Sequence, residues 1–226
     1  MNIPDTVGYA VPEQYGALIG RLFESVREFQ TGKAIISVHC HNDLGLSTAN
    51  SIAAVQAGVR QVECTINGIG ERAGNCSLEE FVMALKVRHD VLPFETGIVT
   101  PQLFPASQLL TEIIGVGVQP NKAIVGRNAF AHEAGIHQDG FLKERTTYEI
   151  MHPNTVGVPA SQLVVGKHSG RHAVVDRCQH LGFELNKQQI ETVYHRVIAA
   201  CDRKKWLSDQ EIAEIARAVL GCDVIA

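Results

Sequence analysis

"AIISVHCHNDLG", residues 34–45, leads from a run rich in β-branched residues to two histidines one residue apart, then to Asn42, Asp43 and a glycine. Such composition favours a strand. Side chains alternate across a strand, so Ser37, His39 and His41 face one side while Val38 and Cys40 face the other. Both imidazoles therefore reach one point at the strand's C-terminal end. Two readings stay open at this stage: surface or hydrogen-bonded histidines, and histidines that share a metal ion.

Working outward, the pattern around this stretch repeats. "MNIPDTVG" (1–8) reads as a short strand, and the helix after it has Pro12 in its first turn and Tyr15, Leu18, Ile19, Leu22, Phe23 and Val26 at helical spacing. A second helix follows residue 45 and runs to about 57, where Gly58 reads as a left-handed terminator. "RQVECTI" (60–66) is a third strand. It leads through the loop "NGIGERAGN" (67–75) into a helix from about Leu78, whose start carries Ser77 and Glu80 at capping-box spacing. Such alternation means parallel strands with crossover helices, in a barrel or a doubly wound sheet, with the strands' C-terminal ends forming the active face. In the loop, Gly68, Gly70 and Gly74 let the backbone bend tightly. A purely structural turn has no need of Asn67, Glu71, Arg72 and Asn75 together.

From about residue 96 the strand alternation ends and helical patterns take over, near 105–115, 171–181 and 187–203. A last helix, "SDQEIAEIARAVL" (208–220), opens with Ser208 and Glu211 at capping-box spacing.

Composition narrows the function classes. The 226 residues are 45% hydrophobic and 19% charged, ordinary for a globular protein. A net charge of -4, with the 20 Lys and Arg scattered, gives no footprint for nucleic acid. No apolar run approaches the roughly 18 residues of a membrane span, and the N-terminus lacks a signal-peptide pattern. A cytoplasmic location is expected. The six cysteines show no CxxC spacing, which suits reduced thiols better than disulfides or a thiolate zinc site.

Four motifs converge on a family. "HCHNDLG" (39–45), "GIGERAGN" (68–75), "AFAHEAGIHQDG" (129–140) and "VVGKHSGRHA" (164–173) closely resemble the 2-isopropylmalate synthases. These fall within a larger group that includes homocitrate and citramalate synthases and hydroxymethylglutaryl-CoA lyase. The resemblance implies a partial (β/α)8 TIM barrel, about its last three βα units, in residues 1–95, followed by helical linker subdomains, lid and dimer contact, in 96–226. It implies a divalent metal ion (Mn, Zn or Mg) held by His39, His41 and Asn75, together with an aspartate of the first barrel strand that has no counterpart here. Neutral imidazoles and an amide oxygen suit such an ion, since they hold it without cancelling its charge.

The resemblance also implies the reaction and its partners. Acetyl-CoA and 2-oxoisovalerate condense to 2-isopropylmalate and CoA, a step of leucine biosynthesis. His137 is the base that removes the acetyl proton, with Tyr148 beside it. Thr6 binds the oxo acid's carboxylate, although its hydroxyl equally suits a cap in the "PDTVG" turn. The site is shared across a homodimer. Lys167, His168 and Arg171 offer cations for CoA phosphates, or form a solvated basic loop. The chain is expected to begin at about the sixth barrel strand, to end before a leucine-sensing domain, and to be nearly inactive alone. Alternatives are homocitrate or citramalate synthase with the same chemistry, or a non-catalytic dimerisation module.

Overall fold

The computed structural model describes residues 1–132, 150–159, 162–163, 169–204 and 207–221. Strands β1 (Asn2–Asp5), β2 (Ser37–Cys40) and β3 (Gln61–Glu63) form a parallel sheet in the order β1-β2-β3. Its register pairs Pro4 with His39 and His39 with Glu63.

Helices separate the strands. Helix α1 (Pro12–Ser25) starts with Pro12, whose missing N–H costs nothing in a first turn, and buries Tyr15 and Ile19. The Tyr15 hydroxyl donates to the Ile3 carbonyl at 2.6 Å, tying the helix to β1. A single-turn helix α2 (Arg27–Gln30) follows. Helix α3 (Ser47–Gln56) packs closely on α1, where Gly16 faces the Ala53 backbone. Gly58 does break the chain after α3, but at φ +119 rather than in the left-handed helical region. Any side chain there would also strike the Phe23 ring.

Helix α4 (Leu78–Val87) departs from expectation at its start: Ser77 makes no side-chain cap. The capping box predicted for Ser77 and Glu80 does not form, because the Lys122 ammonium takes both groups. It donates to Ser77 Oγ at 3.1 Å and to Glu80 Oε1 at 2.5 Å, and Thr48 donates to Glu80 Oε2. Helix α5 (Leu103–Ile114) ends at Gly115 in the left-handed conformation.

The chain divides into two compact units, one of Met1–Ala129 with Asn154–Val158, the other of Phe130–Pro153 with Pro159–Ala226. The second contains a short parallel ladder absent from the sequence expectation, β4 (Ala131–His132) with β5 (Gln162–Leu163). Its helices among the described residues are α6 (Arg171–His180), α7 (Lys187–Cys201) and α8 (Asp209–Leu220). They share a core of Val174, Cys178, Val193, Val197, Cys201, Leu207, Ile212 and Ala216. Helices α7 and α8 both start with closed capping boxes, Asn186–Gln189 and Ser208–Glu211. The architecture is a partial (β/α)8 barrel and a mainly helical subdomain. Among the described residues, no helix is long and apolar enough to cross a membrane.

Candidate functional site

The parallel register carries the ends of all three strands to one rim. Val38 and Cys40 are fully buried behind the sheet, while His39 and His41 are partly exposed on the opposite face. The two rings meet edge to face with centroids 5.0 Å apart, and their Nε2 atoms lie 3.3 Å from each other. His39 Nδ1 sits 3.3 Å from Glu63 Oε2, its register partner on β3. A carboxylate on one ring nitrogen fixes the proton there and leaves the lone pair on the other. A proton on His39 Nδ1 would leave the lone pair on Nε2, the atom that faces His41.

Asn75 joins this pair through the backbone. It forms an antiparallel bridge with His41, which sets the two side chains on one face. Asn75 N donates to Gly68 O and its Nδ2 donates to Ile69 O at 2.9 Å. A carbonyl oxygen can only accept, so the amide NH2 must be the end that meets Ile69. Asn75 Oδ1 is thereby aimed away, buried and without a partner. Gly70 is required here, since a Cβ would collide with Asn75 Nδ2.

Arg72 braces the rim from outside. Its guanidinium grips Asp43 with two hydrogen bonds, 2.8 Å and 3.0 Å, and donates to the Thr6 carbonyl at 2.7 Å. The paired guanidinium holds the Asp43 carboxyl below its usual range. Thr6 is exposed at the end of β1, beside Asp5, whose carbonyl accepts from His41 N. The turn after β1 is organised by the Asp5 carboxylate, which accepts from Tyr9 N and Ala10 N. A cavity of about 430 Å³ opens next to Asn75, with Asn42, Asn67, Ser77 and Lys122 among its lining residues.

These groups pass a test of fit for a divalent cation. Two ligands at 2.0–2.1 Å from one tetrahedral ion stand about 3.3–3.4 Å apart, and the two Nε2 atoms are at 3.3 Å. A buried amide oxygen with no donor nearby is an acceptor in need of a cation or proton. Among the described residues no third His, Cys, Asp or Glu completes the cluster. His137 and Tyr148 lie outside the described residues, as do Lys167 and His168. Arg171 is engaged within its own unit, donating to Glu191 at 2.6 Å and stacking over Tyr194.

Two participants escaped sequence reasoning. Glu63 was visible in the third strand, but only the register places it against His39. Glu79, 2% exposed, was visible as a helix residue, yet its partners Asn67 and Lys122 come from distant parts of the chain.

Residues 1–110 match the HMGL-like family model, and residues 124–205 match the model of the homocitrate synthase post-HMGL domain. The chain is 59% identical over 212 residues to a 2-isopropylmalate synthase of Carboxydothermus hydrogenoformans, covering 94% of this chain and 41% of that protein. Over most of its length the chain is similar to the 2-isopropylmalate synthases. Other similar proteins include the 2-isopropylmalate synthases of Syntrophus aciditrophicus, 56% identical over 95% of this chain and 41% of the relative, and of Aquifex aeolicus, 55% identical over 94% and 41%. The chain thus spans about two fifths of the length of these relatives. Among solved structures, the HMG-CoA lyase of Bacillus subtilis aligns at a TM-score of 0.44 and 23% identity, over 57% of this chain and 40% of that one.

Proposed function

We propose that the chain is part of a 2-isopropylmalate synthase, which condenses acetyl-CoA with 2-oxoisovalerate to give 2-isopropylmalate and CoA in leucine biosynthesis. The observation that carries this is the pair of imidazole nitrogens 3.3 Å apart, next in register to a buried amide oxygen without a partner. It occurs in a chain whose relatives bear that name.

His39, His41 and Asn75 would hold a divalent ion (Mn, Zn or Mg). Such an ion supplies Lewis acidity toward a 2-oxo acid, drawing charge from its ketone as a carbanion attacks. Each protein group is prepared for that task. Glu63, 3.3 Å from His39 Nδ1, favours a proton there, which would leave the Nε2 electron pair for the ion. Ile69 holds the Asn75 NH2 so that oxygen faces the site. Thr6, at the same strand-end rim, binds the oxo acid's carboxylate. His137 removes a proton from the acetyl methyl group, assisted by Tyr148, and the resulting carbanion forms the new bond at the ketone carbon. Hydrolysis of the thioester then frees CoA. We assign residues 1–95 to the barrel and residues 96–226 to linker subdomains that bring His137 to a partner subunit's barrel in a cytoplasmic homodimer.

The test is CoA release, followed with a thiol reagent, from a form spanning the full length of the relatives. Turnover is expected with 2-oxoisovalerate; turnover confined to pyruvate or 2-oxoglutarate would overturn the substrate assignment. His39→Ala should lose both metal and turnover, whereas His137→Ala should keep the metal while turnover falls about 10²–10⁴-fold. Mixing these two variants should restore part of the activity, and failure despite subunit exchange would return His137 to its own subunit's site.

A further inference from the structure

We propose that Glu79 is a positioning residue for the candidate metal site: together with Ser107 it locks the Asn67–Ile69 turn, and through that turn it fixes which end of the Asn75 amide faces the ion. The proposal rests on the assignment of Asn75 as a metal ligand.

The turn needs holding. Asn67 has φ +61 and Gly68 φ +66, two consecutive left-handed residues, a conformation that asparagine adopts more readily than other residues with a Cβ but that still costs free energy unless its surroundings favour it. Three hydrogen bonds favour it here. Glu79 Oε2 accepts from Asn67 N at 3.1 Å. Ser107, fully buried on α5, donates to Asn67 Oδ1 at 2.5 Å while its carbonyl accepts from Asn67 Nδ2 at 3.3 Å. Each polar atom of the Asn67 side chain is thus claimed by a neighbouring helix.

The consequence reaches Asn75 in one step. The locked turn presents Gly68 O to Asn75 N and Ile69 O to Asn75 Nδ2. With the NH2 held at Ile69, Oδ1 is the end left free in the buried site. If the turn relaxed, Ile69 O would move, and the amide could rotate to present NH2, which cannot ligate a cation. Glu79 is itself 2% exposed and carries a charge that must be balanced. Lys122 Nζ lies 3.3 Å from Glu79 Oε1, an ionic contact without hydrogen-bond geometry, and is anchored by Ser77 and Glu80. This explains why two adjacent glutamates and a lysine gather behind a loop whose visible task is on the other side.

Titration of the chain with Co²⁺, read by its visible absorption and affinity, tests the proposal without any assay of turnover. Glu79→Ala should weaken Co²⁺ binding about 10–100-fold, the usual cost of losing a group that orients a ligand. Glu79→Gln keeps an acceptor for Asn67 N and should restore affinity. Adding Asn75→Ala to Glu79→Ala should cost little more, since both changes remove the same oxygen. Should Glu79→Ala not fold by circular dichroism, Ser107→Ala provides a milder release of the same turn and should also weaken Co²⁺. A folded Glu79→Ala or Ser107→Ala that binds Co²⁺ as tightly as the unaltered chain, while Asn75→Ala binds weakly, overturns the positioning role and leaves the metal site standing. Unchanged binding by Asn75→Ala overturns the ligand assignment and the positioning role with it.

Discussion

Ser77–Glu80 at the start of α4 and Ser208–Glu211 at the start of α8 share one spacing, yet only the second closes into a capping box. At α8 the Ser208 hydroxyl accepts from Glu211 N, and the Glu211 carboxylate accepts from Ser208 N at 2.8 Å, with Lys204 bonding that carboxylate from solvent. At α4 a lysine reaches the same two side chains from inside the fold, at 14% side-chain exposure, and wins. The physical reason is charge. A partly desolvated ammonium gains more from a carboxylate and a hydroxyl than a neutral backbone N–H does. The start of α4 has been given over to a buried charge network behind the site, whereas at the start of α8 Ser208 and Glu211 close on their own helix.

Breaking that network should have the largest effect. Lys122→Met strands the buried Glu79 carboxylate and should destabilise the first unit by about 3–5 kcal/mol, read from urea unfolding. Replacing both, as Lys122→Met with Glu79→Leu, should recover most of that loss; no recovery would mean that the charge was not what held the region.

Smaller effects should follow at the caps. Ser208→Ala is expected to cost about 1 kcal/mol and to expose the first-turn amides of α8 to hydrogen exchange. Ser77→Ala should leave the corresponding amides of α4 unchanged, because Ser77 Oγ caps none of them.

The pH dependence sharpens the contrast further. Hydrogen bonds from the Ser208 backbone, then Lys204 and the Ser208 hydroxyl, hold the Glu211 carboxyl down to about 2. A depressed folded-state value means that the box contributes fully above the unfolded glutamate's pKa of about 4.3 and is lost as pH falls through about 2. Side-chain NMR shifts of Glu211 should therefore titrate well below those of a free glutamate. The smallest effect is a lack of reactivity: burial pushes the Cys76 thiol, beside Ser77, up to about 12. It should resist alkylation at pH 8 until the chain unfolds.

The same contrast marks what the sequence could reveal. The βα units were legible because each strand and helix carries its own period, and His39 and His41 share a face by alternation alone. Ser208–Glu211 was legible because the two bonds that close the box lie within one turn. Glu63 beside His39 depends on a parallel register that no local pattern encodes. Lys122 meets Glu80 across 42 residues, so the failure of the Ser77 box was invisible to a four-residue signature. The β4–β5 ladder, two residues on each side, is too short to have a period at all.

The central claim is that His39, His41 and Asn75 bind one ion. X-ray absorption at the zinc edge of the Zn²⁺-loaded chain tests it most directly, since imidazole rings give a distinctive outer-shell scattering that can be counted. The account predicts two imidazoles per zinc, with nitrogen and oxygen neighbours at about 2.0–2.2 Å, and no zinc retained by His39→Ala. A spectrum with one imidazole or none, or with sulfur at about 2.3 Å, would contradict it.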